Sequence, residues 1–185
     1  LTLAKVAAAP HGIDLAPLKP CLPNRLFTRD KMITLVPPIF RKDLERLHQS
    51  ATDASVNTST LSLIGRRDLR TNNSWLHNSR RFVKGPNRCT LLMNPIDASA
   101  RHLENGAMVT VTSRVGSVHA ELKITDEIAP GVVSLPHGWG HDREGIKLDV
   151  ARAHPGVSVN DLTDEEHLDS LCGNAALNGV SVTVS

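Results

Sequence analysis

Two stretches of strict alternation constrain the fold of this chain more than any other feature. Val109 and Val111 alternate with Thr110 and Thr112. Val118, Ala120, Leu122 and Ile124 alternate with His119, Glu121 and Lys123, and Val115 and Gly116 lie between the two runs. A period of two puts apolar side chains on one face of a strand and polar ones on the other, and a glycine-bearing turn joins such runs into a half-buried hairpin. The chain ends on the same pattern, with Val180, Val182 and Val184 against Ser181, Thr183 and Ser185, which predicts a closing strand. Shorter apolar runs at Leu61, Leu63 and Ile64, at 89–93 and at 132–135 predict buried strands, the last entered through a turn at Pro130 and Gly131. Residues 31–36 and 146–151 read as two further short strands.

Helix signals are fewer. Pro37 and Pro38 open a helix whose apolar face carries Phe40, Leu44 and Leu47. Asn94 as N-cap and Pro95 at the first helical position start another through Ile96, Ala100 and Leu103, with Asp97 near its positive end. Thr163 and Glu166 have the spacing of a capping box for a third, through Leu168 and Leu171. Many short strands with few short helices predict a mainly β fold, a closed β-barrel with short helical insertions. Pro10, Pro17, Pro20 and Pro23 leave no room for a long helix near the start, so that part reads as an extended lead-in. Residues 49–60, rich in Ser, Thr and Asn, read as a linker. The expected organisation is a lead-in with a short helix at 1–57 and a barrel domain at 58–185.

Composition narrows the function classes. With 185 residues, 40% hydrophobic and 22% charged, the chain can bury a core without metal or disulfide staples. No apolar run approaches the roughly 18 residues of a membrane helix, and no signal peptide is recognisable. Cys21, Cys89 and Cys172 are odd in number and widely spaced, so no metal or iron–sulfur site is expected from this chain alone. A reducing compartment, the cytoplasm, is the expected location. The chain starts at Leu1 and not at Met, and is expected to be a piece of a longer protein.

The net charge of +2 hides an asymmetry: between Gly65 and Arg88 the bases Arg66, Arg67, Arg70, Arg80, Arg81, Lys84 and Arg88 face the single acid Asp68. Such a cluster reads either as a site for an anionic partner, phosphate above all, or as a solvated basic loop. Neither a Rossmann fingerprint nor a P-loop occurs, nor a nucleophile elbow or His-Glu-x-x-His. His137 and His141 have the spacing of a helical metal pair, but Gly138 and Gly140 between them argue for a sharp loop instead. What remains is a set of polar loops at strand ends: 65–78, with its Asn, Ser, Trp and His residues, then 135–141, then 159–163. Amide, hydroxyl and imidazole groups both donate and accept, which suits a heterocycle rich in ring nitrogens and amides, and guanidinium groups suit phosphate.

These loops carry a resemblance. Gly65 and Arg66 followed by Asn73, Ser74, Trp75, His77 and Asn78; Met93, Asn94, Pro95, Asp97 and Ala98; the hairpin with its Val115 and Gly116 turn; the run from Pro130 through Pro136 to His137, Gly138, Trp139 and Gly140; and Val159, Asn160, Asp161, Leu162 and Thr163 occur in the order found in one family. The chain resembles the C-terminal dinucleotide-binding domain of the molybdopterin oxidoreductases, which include formate dehydrogenases, nitrate reductases and dimethyl sulfoxide reductase. The Asn73, Ser74, Trp75 version looks closest to the formate dehydrogenase-like branch. The resemblance implies a double-psi β-barrel lying over one side of a bis-molybdopterin guanine dinucleotide. It further implies that Arg66, Asn73, Ser74, Trp75, His77 and Asn78 line the cofactor, with His137, Gly138 and Asn160 approaching a pterin. The molybdenum ligand and any iron–sulfur cluster would lie in upstream domains of the same polypeptide, so no catalytic or metal-ligating residue is expected here, nor activity from this piece alone. Two other readings use the same residues: a nucleic-acid-binding module on the basic stretch, which the scarcity of aromatics disfavours, and a cofactor-free interaction module on the same barrel.

Overall fold

The structure, a computed structural model, describes residues 1–52 and 59–185. By their internal contacts these fall into two units, Leu1–Glu45 and Arg46–Ser185. The second unit holds six strands among its described residues: β1 (Leu61–Arg66), β2 (Thr90–Met93), β3 (Met108–Thr112), β4 (Ser117–Ile124), β5 (Val132–Pro136) and β6 (Val180–Val184). They close into one barrel in the order β1, β5, β2, β4, β3, β6. The β3–β4 hairpin forms as its alternation predicts, with Val109 opposite Ala120 and Val111 opposite Val118. Two pairs are parallel, β1 with β5 and β2 with β4, and the remainder antiparallel. The closed sheet with its crossed parallel pairs is the expected double-psi β-barrel.

The barrel is filled by aliphatic side chains. Leu63, Leu91, Met93, Leu122, Val133 and Leu135 are sealed from solvent, and the core cluster they belong to contains no aromatic residue. Each such Leu contributes about 1.5–3 kcal/mol through removal of its surface from water. Short helices decorate the barrel: α3 (Arg80–Val83), α4 (Pro95–Ala100) and α5 (Asp149–Ala153), with a 3₁₀ turn at Val159–Leu162. Asn94 caps α4 as its sequence predicts, accepting from the Ile96 amide at 2.9 Å, while its own amide donates to the Ile128 carbonyl at 2.8 Å. The helix ends at Ala100 and not at Leu103, because the Leu103 amide turns back to the Ala98 carbonyl and His102 takes a left-handed φ of 55°. The first unit carries α1 (Leu3–Ala7), and α2 (Pro38–Thr52) begins in it, with Phe40 and Leu44 on one side as the spacing predicts.

Four local expectations are corrected. Residues 31–36 form no strand: the Met32 amide bonds the Asp30 carboxylate and the Met32 carbonyl the Thr28 hydroxyl, so side chains occupy the groups a ladder would need. The stretch 146–151 is not a strand either but leads into α5, whose Val150 and Ala151 amides are capped by Asn78 Oδ1 at 3.0 and 3.1 Å. No helix follows Thr163, because its hydroxyl donates to the Asn160 carbonyl and the Glu166 amide goes to Asp164. The lead-in is not wholly extended, since Thr2 caps α1 by accepting from the Lys5 amide at 3.3 Å. Of the expected linker, 49–52 belong to α2, and 53–58 lie outside the described residues.

Candidate functional site

The parallel pairing of β1 and β5 places Arg66 beside Pro136, so the segments 66–78 and 137–141 leave the barrel at the same end. There they pack backbone on backbone. Gly138 has φ +88°, and a Cβ on it would fall 2.6 Å from the Ser74 nitrogen. Gly140 has φ +97°, and a Cβ there would fall 2.6 Å from Ser158 Cβ. Both positions demand glycine for conformation and for clearance. On the opposite side of the contact Asn72, Asn73 and Ser74 hold φ values of 41°, 56° and 79° in succession. Three consecutive non-glycine residues in the left-handed region form a strained turn that persists only when its surroundings fix it.

Two adjoining cavities open at this meeting point. One, about 280 Å³, is lined by Asn73, Ser74, His137, Gly138, Trp139, His141 and Asn160 among others. The second, about 140 Å³, is lined by Arg66, Arg67, His137, Asn160 and Asn178 among others. His137 and Asn160 line both. Six of the nine residues expected at a cofactor, namely Asn73, Ser74, His137, Gly138, Asn160 and Arg66, therefore line one space. Asn160 is exposed, and its side-chain amide makes no hydrogen bond among the described residues. Trp75 projects outward at 83% exposure, a large apolar surface beside the strained turn.

Arg66, His77 and Asn78, by contrast, point their polar atoms elsewhere. Arg66 lines the second cavity, but its guanidinium donates to the carbonyls of Ser134 and Thr90, the latter at 2.7 Å, and ties β1 to its neighbours. Burial lowers its pKa from the ordinary arginine value. His77 is buried, with Nε2 2.8 Å from the His154 carbonyl. Asn78 is the cap of α5 described above. The basic stretch is similarly occupied: Arg88 donates to Asp68 and to the Phe82 carbonyl, Arg70 to the Lys84 carbonyl and Arg67 to Asn73 Oδ1 at 2.9 Å. A loop this irregular leaves carbonyls without ladder partners, and arginine forks satisfy them. Arg80, Arg81 and Lys84 form an exposed basic set on and beside α3. The nucleic-acid reading has no support.

Sequence reasoning missed Asn178 and Ser158. Asn178 Oδ1 accepts from the Gly65 amide at 2.8 Å and anchors the start of the 66–78 segment. The signal was the Asn178-Gly179 dipeptide, a turn marker just before β6 whose long-range partner no local pattern discloses. No group of three or more His, Cys, Asp or Glu side chains suited to a metal occurs among the described residues.

Comparison with known proteins decides what this geometry belongs to. Residues 61–181 match the family described as "Molydopterin dinucleotide binding domain". The chain is a member of that family. Among curated relatives, the dimethyl sulfoxide reductase of Haemophilus influenzae is 36% identical over 92 residues, covering 50% of this chain and 11% of the relative. The molybdopterin-containing subunit of the arsenate respiratory reductase of Chrysiogenes arsenatis is 30% identical over 123 residues, covering 64% and 14%. The F420-dependent formate dehydrogenase subunit alpha of Methanocaldococcus jannaschii is 33% identical over 86 residues, covering 46% and 11%. Formate dehydrogenase is thus one of several kinds of relative. The chain matches about a tenth of the length of the first two kinds. Among solved structures, acetylene hydratase from Pelobacter acetylenicus shares the fold at a TM-score of 0.51 and 19% identity, over 74% of this chain and 19% of that one. No helix among the described residues is long and apolar enough to cross a membrane.

The residues present fit a molybdopterin dinucleotide. The amide of Asn160, unbonded among the described residues, and the mixed donors and acceptors of Asn73, Ser74 and His137 around one cavity match the ring nitrogens and amides of a pterin.

Proposed function

We propose that the chain is the C-terminal cofactor-binding domain of a larger molybdenum-dependent oxidoreductase, covering one side of a bis-molybdopterin guanine dinucleotide. The observation that carries this reading is the convergence of 66–78, 137–141 and Asn160 on two adjoining cavities at one end of the barrel. Upstream domains of the same polypeptide, in this reading, supply the other side of the site. In this reading Asn73, Ser74, Trp75, His137, Gly138 and Asn160 face the cofactor, while Arg66, His77 and Asn78 hold the loops that carry them. The domain begins near residue 58, a formate dehydrogenase is one kind of parent enzyme it would suit, and the cytoplasm is its compartment. The cofactor supplies the redox chemistry when bound, and the protein supplies position and hydrogen bonds.

The test is Asn160→Ala in the full-length enzyme. Because the side chain has no hydrogen-bond partner among the described residues, folding should be unchanged, whereas molybdenum and pterin content per polypeptide should fall. Unchanged content in a correctly folded variant would overturn the assignment.

A further inference from the structure

The strained turn at Asn72–Ser74 needs an agent that holds it, and the fold places one behind it. His77 is 1% exposed, although imidazole is polar and the chain around it is a loop. Its edge meets Trp139 at a centroid distance of 4.4 Å and an interplanar angle of 88°, and its ring lies 4.7 Å from that of His141. Its Nε2 is 2.8 Å from the His154 carbonyl, and a carbonyl can only accept, so Nε2 carries the proton. Nδ1 is buried and has no hydrogen-bond partner among the described residues. The His77 amide in turn donates to the Ser74 carbonyl at 3.1 Å, and the Leu76 amide to the Thr71 carbonyl at 3.0 Å. One side chain thus joins three segments: 66–78 through its own backbone, 137–141 through Trp139 and His141, and 154–158 through the His154 carbonyl.

We propose that neutral His77 is a positioning residue for the cofactor-facing turn, locking Asn73 and Ser74 against Gly138 so that the two loops present a single rigid half-site. The inference rests on the cofactor reading of that half-site given above. It assigns His77 a role different from direct contact, since neither ring nitrogen is available to a ligand.

The lock has a built-in condition. The titratable and charged groups facing His77 are His141 on the 137–141 segment, His154 beyond α5, and Arg88 before β2, the last already paired with Asp68. Apart from that pair, none of these offers negative charge. Burial, with those neighbours adding to it, lowers the pKa of His77 below its ordinary 6.5, against a partial opposing effect of the His154 carbonyl. The sign follows: the native state favours the neutral ring, so its contribution is complete above the ordinary value and is lost as pH falls below it and through the folded value. Protonation would place an uncompensated charge at Nδ1 in the middle of the lock.

The experiment is a nuclear magnetic resonance titration of the 185-residue chain, following the His77 ring nitrogens together with amide exchange at Leu76, His77 and Gly140. The expected result is a neutral ring with the proton on Nε2 at neutral pH, and an acid step below 6.5 in which the protection factors of these amides, relative to the unstructured chain at the same pH, fall about tenfold or more together. His77→Gln keeps a donor near the Nε2 position and cannot titrate, so the amides should stay protected and the step should vanish. His77→Phe fills the space without a donor, so protection should be lost at every pH. A proton on Nδ1 at neutral pH, an unchanged acid step in His77→Gln, or full protection in His77→Phe would each overturn the proposal. The first outcome is read on the unsubstituted chain and does not depend on a variant folding. Loop order measured in this way tests the positioning role alone, whereas cofactor content of the full-length enzyme tests the reading beneath it.

Discussion

The barrel wall and the loop tier at its end are stabilised by different means. In the wall, Val109, Val111, Val118 and Leu122 face inward because alternation puts them there, and the stabilisation is area removed from water, without directional demands. The loop tier depends on particular distant contacts: Gly65 uses Asn178, α5 uses Asn78, and Gly138 exists so that Ser74 can approach. The wall tolerates volume-conserving exchange among aliphatic residues. The tier does not, because a single added methyl group meets a main-chain nitrogen.

The contrast predicts a graded series. Leu135→Ala removes a sealed wall side chain and should cost about 2–5 kcal/mol in urea unfolding, with the tier affected only through the common loss of stability. A cost within experimental error would mean that the wall is not the main source of stability. Gly138→Ala should cost less, about 1–3 kcal/mol, from a strained φ and the Ser74 clash. In the full-length enzyme it should lower cofactor content out of proportion to that cost, and retained content would show the tier to be more plastic than its geometry suggests. Arg114→Ala should have the smallest effect. Arg114 at the β3–β4 turn grips Asp164 and holds its carboxyl down at about 2, so the pair's contribution is present above the ordinary 3.8 and lost as pH falls towards 2. Both partners lie at the surface and salt screens such pairs. The substitution should flatten only this acid limb in a low-salt denaturation profile, and any effect at neutral pH in high salt would contradict it.

The same contrast explains what the sequence disclosed. The hairpin, β1, β5, β6 and the cap at Asn94 were legible because their determinants lie within a few residues of one another. The tier was legible in composition but not in contact. Arg66 and His77 are residue types that suit a cofactor, and nothing nearby in sequence reveals that the carbonyls of Ser134, Thr90 and His154 claim them first. Capping of α5 by Asn78 reverses a strand expectation at 146–151 from 72 residues away. The failed helix after Thr163 has a nearer cause, since Asp164 competes for the amide that a capping box would use.

Hydrogen exchange of the full-length enzyme, with and without bound cofactor, tests the central claim most directly. If the tier is the cofactor's half-site and the wall its scaffold, cofactor should add protection at 66–78, 137–141 and around Asn160, while the β3–β4 hairpin exchanges at the same rate in both states. Protection gained equally across the barrel, or absent from those three segments, would contradict the account.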